Sequence, residues 1–147
     1  MSQALTNPAD IVALADALRP AILRVSRRLR QEAQKAGLSA QDALLLGHIR
    51  KNPGVGVSAL AELERTSKPT MSAHIKRLEA EGLVVRSGHA EDGRRSGLAV
   101  TAAGGRKLDL IRRQRNDWLA ARHARLTAAE RDLLEAAAAP LLRLIDA

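Results

Sequence analysis

The chain has 147 residues, the size of one domain that can bury a core unaided, and no cysteine, which excludes disulfides, thiolate metal sites and thiol redox switches. With 24 Lys and Arg against 16 Asp and Glu, the net charge of +8 attracts polyanions, while one Trp and no Phe or Tyr argue against single-strand binding by base stacking. The apolar runs are too short to span a membrane, and no basic region precedes an apolar core at the N-terminus, so a cytoplasmic protein with no membrane partner is expected.

The first predicted helix opens with Asn7 as its cap, Pro8 in its first position and Asp10 as a capping-box acid. Ile11, Leu14, Leu18, Ile22, Val25 and Leu29 follow every three or four residues, one apolar stripe opposite a basic face. Pro20 inside this pattern predicts a kink or a division in two, because its ring clashes with the preceding turn, and Gly37 ends the element. Ser39 with Asp42 opens a second helix over about 40–51, with Leu44, Leu45 and Ile49 inward, stopped by Asn52, Pro53 and Gly54. Residues 55–57 read as a short strand, and Ser58 as the cap of a third helix with Leu60 and Leu63 buried.

Ser67 caps a fourth helix, with Pro69 in its first turn, Met71, Ile75 and Leu78 on its buried face and Gly82 at its end. Residues 83–85 and 98–100 read as paired strands around a turn at Asp92 and Gly93. Thr101 caps a long helix to about 125, bearing Leu108, Ile111, Trp118 and Leu119, with Trp118 expected in packing. Thr127 and Glu130 form another capping box before a last helix striped by Leu134, Ala137, Leu141 and Leu144, with a bend expected at Pro140.

This order predicts a mainly α fold with a small β-hairpin wing: one domain over 1–147, with a winged helix-turn-helix over 40–101. The terminal helices, 8–37 and 102–147, have no internal partner of equal length and are expected to pack together and against a second copy, as a homodimer. Charge alone does not single out the winged segment. Residues 19–35 carry +5 (six cations against Glu32), 102–125 carry +5 (seven against two), and 48–101 only +3 (nine against six). The motif must carry the functional inference.

With Met71, Ile75 and Leu78 inward, a rotation of about 100° per residue turns Pro69, Ala73, Lys76, Arg77 and Ala80 outward, with Thr70 and Ser72 on the flanks. A helix beginning at Ser67 with this face suits a DNA major groove. Lys68 and Lys76 suit phosphates or guanine acceptors, Thr70 a base, a phosphate or a thymine methyl, and His74, near the edge, a phosphate when charged. At the hairpin tip, Arg94 and Arg95 lie between Gly93 and Gly97 and suit a narrow minor groove, while Asp92 is expected to orient an arginine or the loop backbone. The ordinary alternatives are a solvated basic helix face and a solvated hairpin tip. A sequence-indifferent, nucleoid-type DNA-binding protein would use the same features. His48, His74, His89 and His123 make no ligand pair at metal spacing, and no catalytic constellation is visible, so neither metal, cofactor nor enzyme activity is expected.

The segment KPTMSAHIKRLEAEGLVVR and the wing Asp92-Gly93-Arg94-Arg95, followed by LAVT and a helix beginning TAAG, resemble the MarR family of transcriptional regulators over about residues 8–145. The resemblance implies an obligate dimer with interlocked first, fifth and sixth helices, bound to a pseudo-palindromic operator overlapping a promoter. It further implies an Asp-x-Arg wing formed by Asp92 and Arg94. Many relatives release DNA when a small, often phenolic or otherwise anionic, effector binds between the dimerisation helices and the winged part, near which His48 falls. Ala73 stands where some relatives place a base-reading arginine, leaving that work to Lys68, Thr70, Lys76 or Arg77. Gly93 stands where some have a basic residue. The lack of cysteine separates the chain from redox-sensing relatives.

Overall fold

In a computed structural model, which describes residues 7–87 and 97–146, the described chain forms six helices and two strands. In order they are α1 (Pro8–Lys35), α2 (Ala40–Lys51), α3 (Val57–Leu63), α4 (Lys68–Ala80), β1 (Val84–Ser87), β2 (Gly97–Val100), α5 (Ala102–His123) and α6 (Ala128–Asp146). This is a mainly α fold with one antiparallel hairpin, the winged helix-turn-helix arrangement.

Most helix starts follow from local chemistry, because a side-chain oxygen satisfies an otherwise orphaned N–H. Asn7, Ser39, Ser67 and Thr101 accept from the backbone N–H of Ala9, Asp42, Thr70 and Gly104. At the start of α6 the box is reciprocal: Thr127 N donates to Glu130 Oε2 at 2.8 Å, and Glu130 N donates to Thr127 Oγ1 at 3.2 Å. These bonds to the Thr127 backbone and hydroxyl hold the Glu130 carboxyl below its ordinary pKa. A depressed folded-state pKa contributes stability above the unfolded value and loses it as pH falls through the folded one. Wild type should therefore melt above Glu130→Gln near about pH 7, and the gap should close by about pH 3. A gap of equal size at both pH values would remove the ionised cap.

The core gathers on α2 and α4. Leu45, Leu46 and Ile49 of α2 and Met71, Ile75 and Leu78 of α4 belong to one buried cluster with Leu60, Leu98, Leu108 and Ile111. The phase of α2 differs from the expected one: Leu44 is 47% exposed, and Leu46 takes the inward place. Leu63, expected to be buried, is 56% exposed at the end of the short α3. Gly56, not Ser58, occupies the N-cap of α3, and no side chain caps it. Instead of a strand over 55–57, Val55 makes a single bridge to Leu98. Neither Pro20 nor Pro140 divides its helix. Asp16, whose carbonyl would have accepted from residue 20, lies on an exposed stretch where water can serve it.

The hairpin pairs Val84 with Val100 through Ser87 with Gly97. Its base is tied to the turn after α2: Gly54 N donates to the Leu98 carbonyl at 2.8 Å, and Leu98 N donates to the Val55 carbonyl at 2.9 Å. A Cβ on Gly97 would lie 2.6 Å from Gly54 Cα, so only glycine lets these two backbones meet.

The outer helices are less complete. Residues 8–25 of α1 are exposed throughout, leaving Ile11, Val12, Leu14, Leu18, Ile22, Leu23 and Val25 to solvent. On α6, Leu133, Leu134, Leu142, Leu144 and Ile145 are exposed as well, and α6 scarcely touches the rest of its own chain.

Candidate nucleic-acid interface

The two faces of α4 differ as a DNA-reading helix requires. Met71, Ile75 and Leu78 are fully buried. Ser67, Lys68, Pro69, Thr70, Ala73, Lys76 and Ala80 are exposed, and Ser72 is half-buried on the flank. Among the described residues neither Lys68 nor Lys76 belongs to an ion pair, so both ammonium groups remain available to an anion. The Ser67 and Thr70 hydroxyls share a hydrogen bond of 2.8 Å, which fixes the first turn of the helix.

Arg77 is exposed on the outward side, as expected, and it also has a partner within the fold. Its Nη2 donates to Asp42 Oδ1 at 2.5 Å, joining α4 to the first turn of α2. His74 Nδ1 lies 2.9 Å from the same guanidinium nitrogen and 3.6 Å from Asp42 Oδ1. The Asp42 side chain is only 7% exposed, and a carboxylate that deep is costly without its cation. Arg77 and His74 are thus partners of Asp42. In the sequence Asp42 reads as a capping acid alone, and nothing in its local spacing points to a residue 35 positions away.

Asp92, Arg94, Arg95 and His89 lie outside the described residues. The strands that bracket them follow directly on α4, and Arg86 Nε on β1 donates to Glu79 Oε1 on α4 at 2.9 Å.

Residues of α1, α2, α5 and α6 line an open cleft of about 1390 Å³. Its walls include Leu18, Ile22, Val25, Leu44, Ile111, Leu134 and Leu141, with Arg30, Arg112, Arg115 and His48 among them. Arg115 Nε donates to the Leu29 carbonyl at 3.1 Å, and burial lowers its pKa from the ordinary arginine value. His48 Nε2 sits 3.1 Å from Glu64 Oε1. Trp118 is half-buried, with Arg122 stacked 4.2 Å and Arg28 5.9 Å from its ring centre, as packing between α1 and α5 predicts. Among the described residues no group of three or more His, Asp or Glu could hold a metal ion, and no helix is long and apolar enough to cross a membrane.

A family model described as MarR family matches residues 36–95. An HTH-type transcriptional regulator of Mycobacterium tuberculosis is 35% identical over 133 residues, covering 90% of this chain and 93% of that protein. A solved Pseudomonas aeruginosa protein, described as a transcriptional regulator, is similar with a TM-score of 0.80 at 34% identity, over 95% of this chain and 97% of that one. A single-residue mutant of MepR from S. aureus, solved bound to an oligodeoxyribonucleotide, shares the fold with a TM-score of 0.69 at 17% identity, over 90% of this chain and 97% of its own.

Proposed function

The chain belongs to the MarR family of transcriptional regulators, and on that premise we propose that it is a homodimeric repressor. It grips a pseudo-palindromic operator in double-stranded DNA and lets go when a small molecule enters the cleft. The observation that carries this reading is α4, sealed on Met71, Ile75 and Leu78 and bare on Lys68, Thr70, Ala73 and Lys76. A neighbour of the same fold, solved bound to an oligodeoxyribonucleotide, supports DNA as the partner. Lys68, Thr70 and Lys76 face base edges and phosphates, Ser67, Pro69, Ser72 and Ala73 pack along the groove, and Arg94 and Arg95, oriented by Asp92, enter the minor groove.

Dimerisation is supported by the uncovered apolar sides of α1 and α6. The cleft between them, about 1390 Å³, exceeds the roughly 300–1,000 Å³ of a small-molecule pocket, which leaves room for a partner's helix beside an effector. On this reading α1, α5 and α6 are the dimerisation helices, and His48 lines what remains for the effector. Leu142→Glu with Ile145→Glu should shift the protein from dimer to monomer in sedimentation equilibrium. An unchanged dimer would move the interface elsewhere.

The deciding experiment is selection of bound sequences from a random duplex pool, with and without candidate effectors. A pseudo-palindrome with half-sites about one helical turn apart is expected. Affinity for it should fall roughly a thousandfold between about 50 and 200 mM salt, as six or more phosphate contacts release their counterions. A binding constant indifferent to salt, or one equal for selected and random duplex, would sink the operator reading.

A further inference from the structure

We infer that α2 is the lever that sets the attitude of the reading helix, and that Arg77 is a positioning residue and not a phosphate contact. The inference rests on the DNA-reading role proposed above for α4.

The helix α2 holds both helices of the helix-turn-helix, each through one carboxylate. Toward α4 it extends Asp42, whose own N–H is fixed by Ser39 Oγ at 3.0 Å in the first helical turn. Asp42 holds Arg77 by a direct hydrogen bond, with His74 3.6 Å from the same oxygen. Drawing Arg77 onto a DNA phosphate would strand a carboxylate whose side chain is 7% exposed, and exchanging one anion for another would gain little in return. Toward α3, Glu64 stands at the C-cap and is held from α2 by His48 Nε2 at 3.1 Å and Gln41 Nε2 at 3.5 Å. The next residue, Arg65, adopts a left-handed φ of 50° in the turn that leads into α4. That conformation is unfavourable for a side chain with a Cβ and persists only where its surroundings enforce it.

The grips therefore bracket α4, one just before its N-terminus and one in its last turns. Gln41 and His48 are also part of the cleft wall. An occupant of the cleft would touch Gln41 and His48, which hold Glu64, and a displacement of α2 is passed to α4 at both ends. Base readout needs placement of the helix to a fraction of an ångström, whereas phosphate attraction does not. Loosening the lever should cost discrimination between sequences more than it costs attraction to DNA.

The test uses the full chain, the duplex recovered by selection and a scrambled duplex of equal length, read by fluorescence anisotropy across a salt series. In Asp42→Asn, Arg77→Ala and His48→Ala, the ratio of selected to scrambled affinity should fall about tenfold, with scrambled affinity within about twofold of wild type and the salt slope unchanged. Arg77→Ala with a slope shallower by about one counterion per protomer would make Arg77 a phosphate contact and overturn the inference. Undiminished discrimination in Asp42→Asn would overturn it equally. A variant that melts early would lose both affinities in parallel, and then Asp42→Glu and His48→Gln, which keep a polar group in place, are read by the same ratio. A wild type that fails to discriminate brings down the operator reading, and the lever with it; wild-type discrimination with undisturbed variants brings down the lever alone.

Discussion

Gly104→Ala is expected to destabilise the protein by about 3 kcal/mol, while the same change at the adjacent Gly105 should stabilise it by up to about 1 kcal/mol. In an open helix, alanine is favoured over glycine because it loses less backbone freedom. Gly105 is such a place, since an added Cβ would meet nothing within 4 Å. At Gly104 the Cβ would lie 2.3 Å from the Leu83 carbonyl oxygen and 2.7 Å from Val100 Cγ1. That carbonyl cannot step aside without cost, because it accepts from Thr101 N at 3.0 Å and so joins the start of β1 to the cap of α5. The clash would push α5 off the base of the hairpin. For a chain of this length, about 3 kcal/mol corresponds to a fall in melting midpoint of about 6–12 °C. Thermal or urea unfolding of the two variants side by side checks it. Shifts of the same sign and size would mean that the close contact at Gly104 does not exist.

Replacing Arg94 and Arg95 together by alanine is expected to weaken operator binding at least about tenfold and to leave the dimer intact. A dimer offers four such arginines, and a narrow minor groove concentrates the negative potential that attracts them. Both arginines lie outside the described residues, between the two strands of the hairpin. The base is fixed by the backbone bonds between Leu98 and the Gly54–Val55 segment, and by the packing of Gly97 on Gly54. The strands that lead to the tip therefore start from a fixed place beside α4. The salt dependence should also become shallower, since cations leave the interface. Gel shift or anisotropy with the selected duplex reads the affinity, and sedimentation reads the dimer. Unchanged affinity would remove the wing from the mechanism, and the two single substitutions identify which arginine matters more.

Features encoded within a few residues were legible in the sequence. The caps at Asn7, Ser39, Ser67, Thr101 and Thr127 stand where they were expected, because a cap is a contact between near neighbours. The buried face of α4 was equally plain, since Met71, Ile75 and Leu78 are its only large aliphatic side chains and fix the helical phase. In α2 the phase was ambiguous: Ala43, Leu44, Leu45 and Leu46 are apolar in succession, and only tertiary packing decides that Leu46 enters the core and Leu44 faces the cleft. Leu63 reads as core by spacing, yet it closes a helix of seven residues that ends before that side chain finds cover. Proline suggested a kink or a division at residue 20; the helix is not divided, because one missing hydrogen bond on a solvated face is tolerated inside a 28-residue helix. Arg77 is exposed as expected, but its partner was not legible. Helical geometry points it outward, and only the fold brings Asp42 beneath it.

The last helix, α6, has hardly any footing on its own chain. For the dimer proposed here, that makes durability a function of abundance, because part of the apolar burial is completed only by an encounter between copies. Mass action then governs the shape of the regulator as well as its occupancy of DNA. A scarce pool would hold more half-assembled chains, and a plentiful one would protect itself.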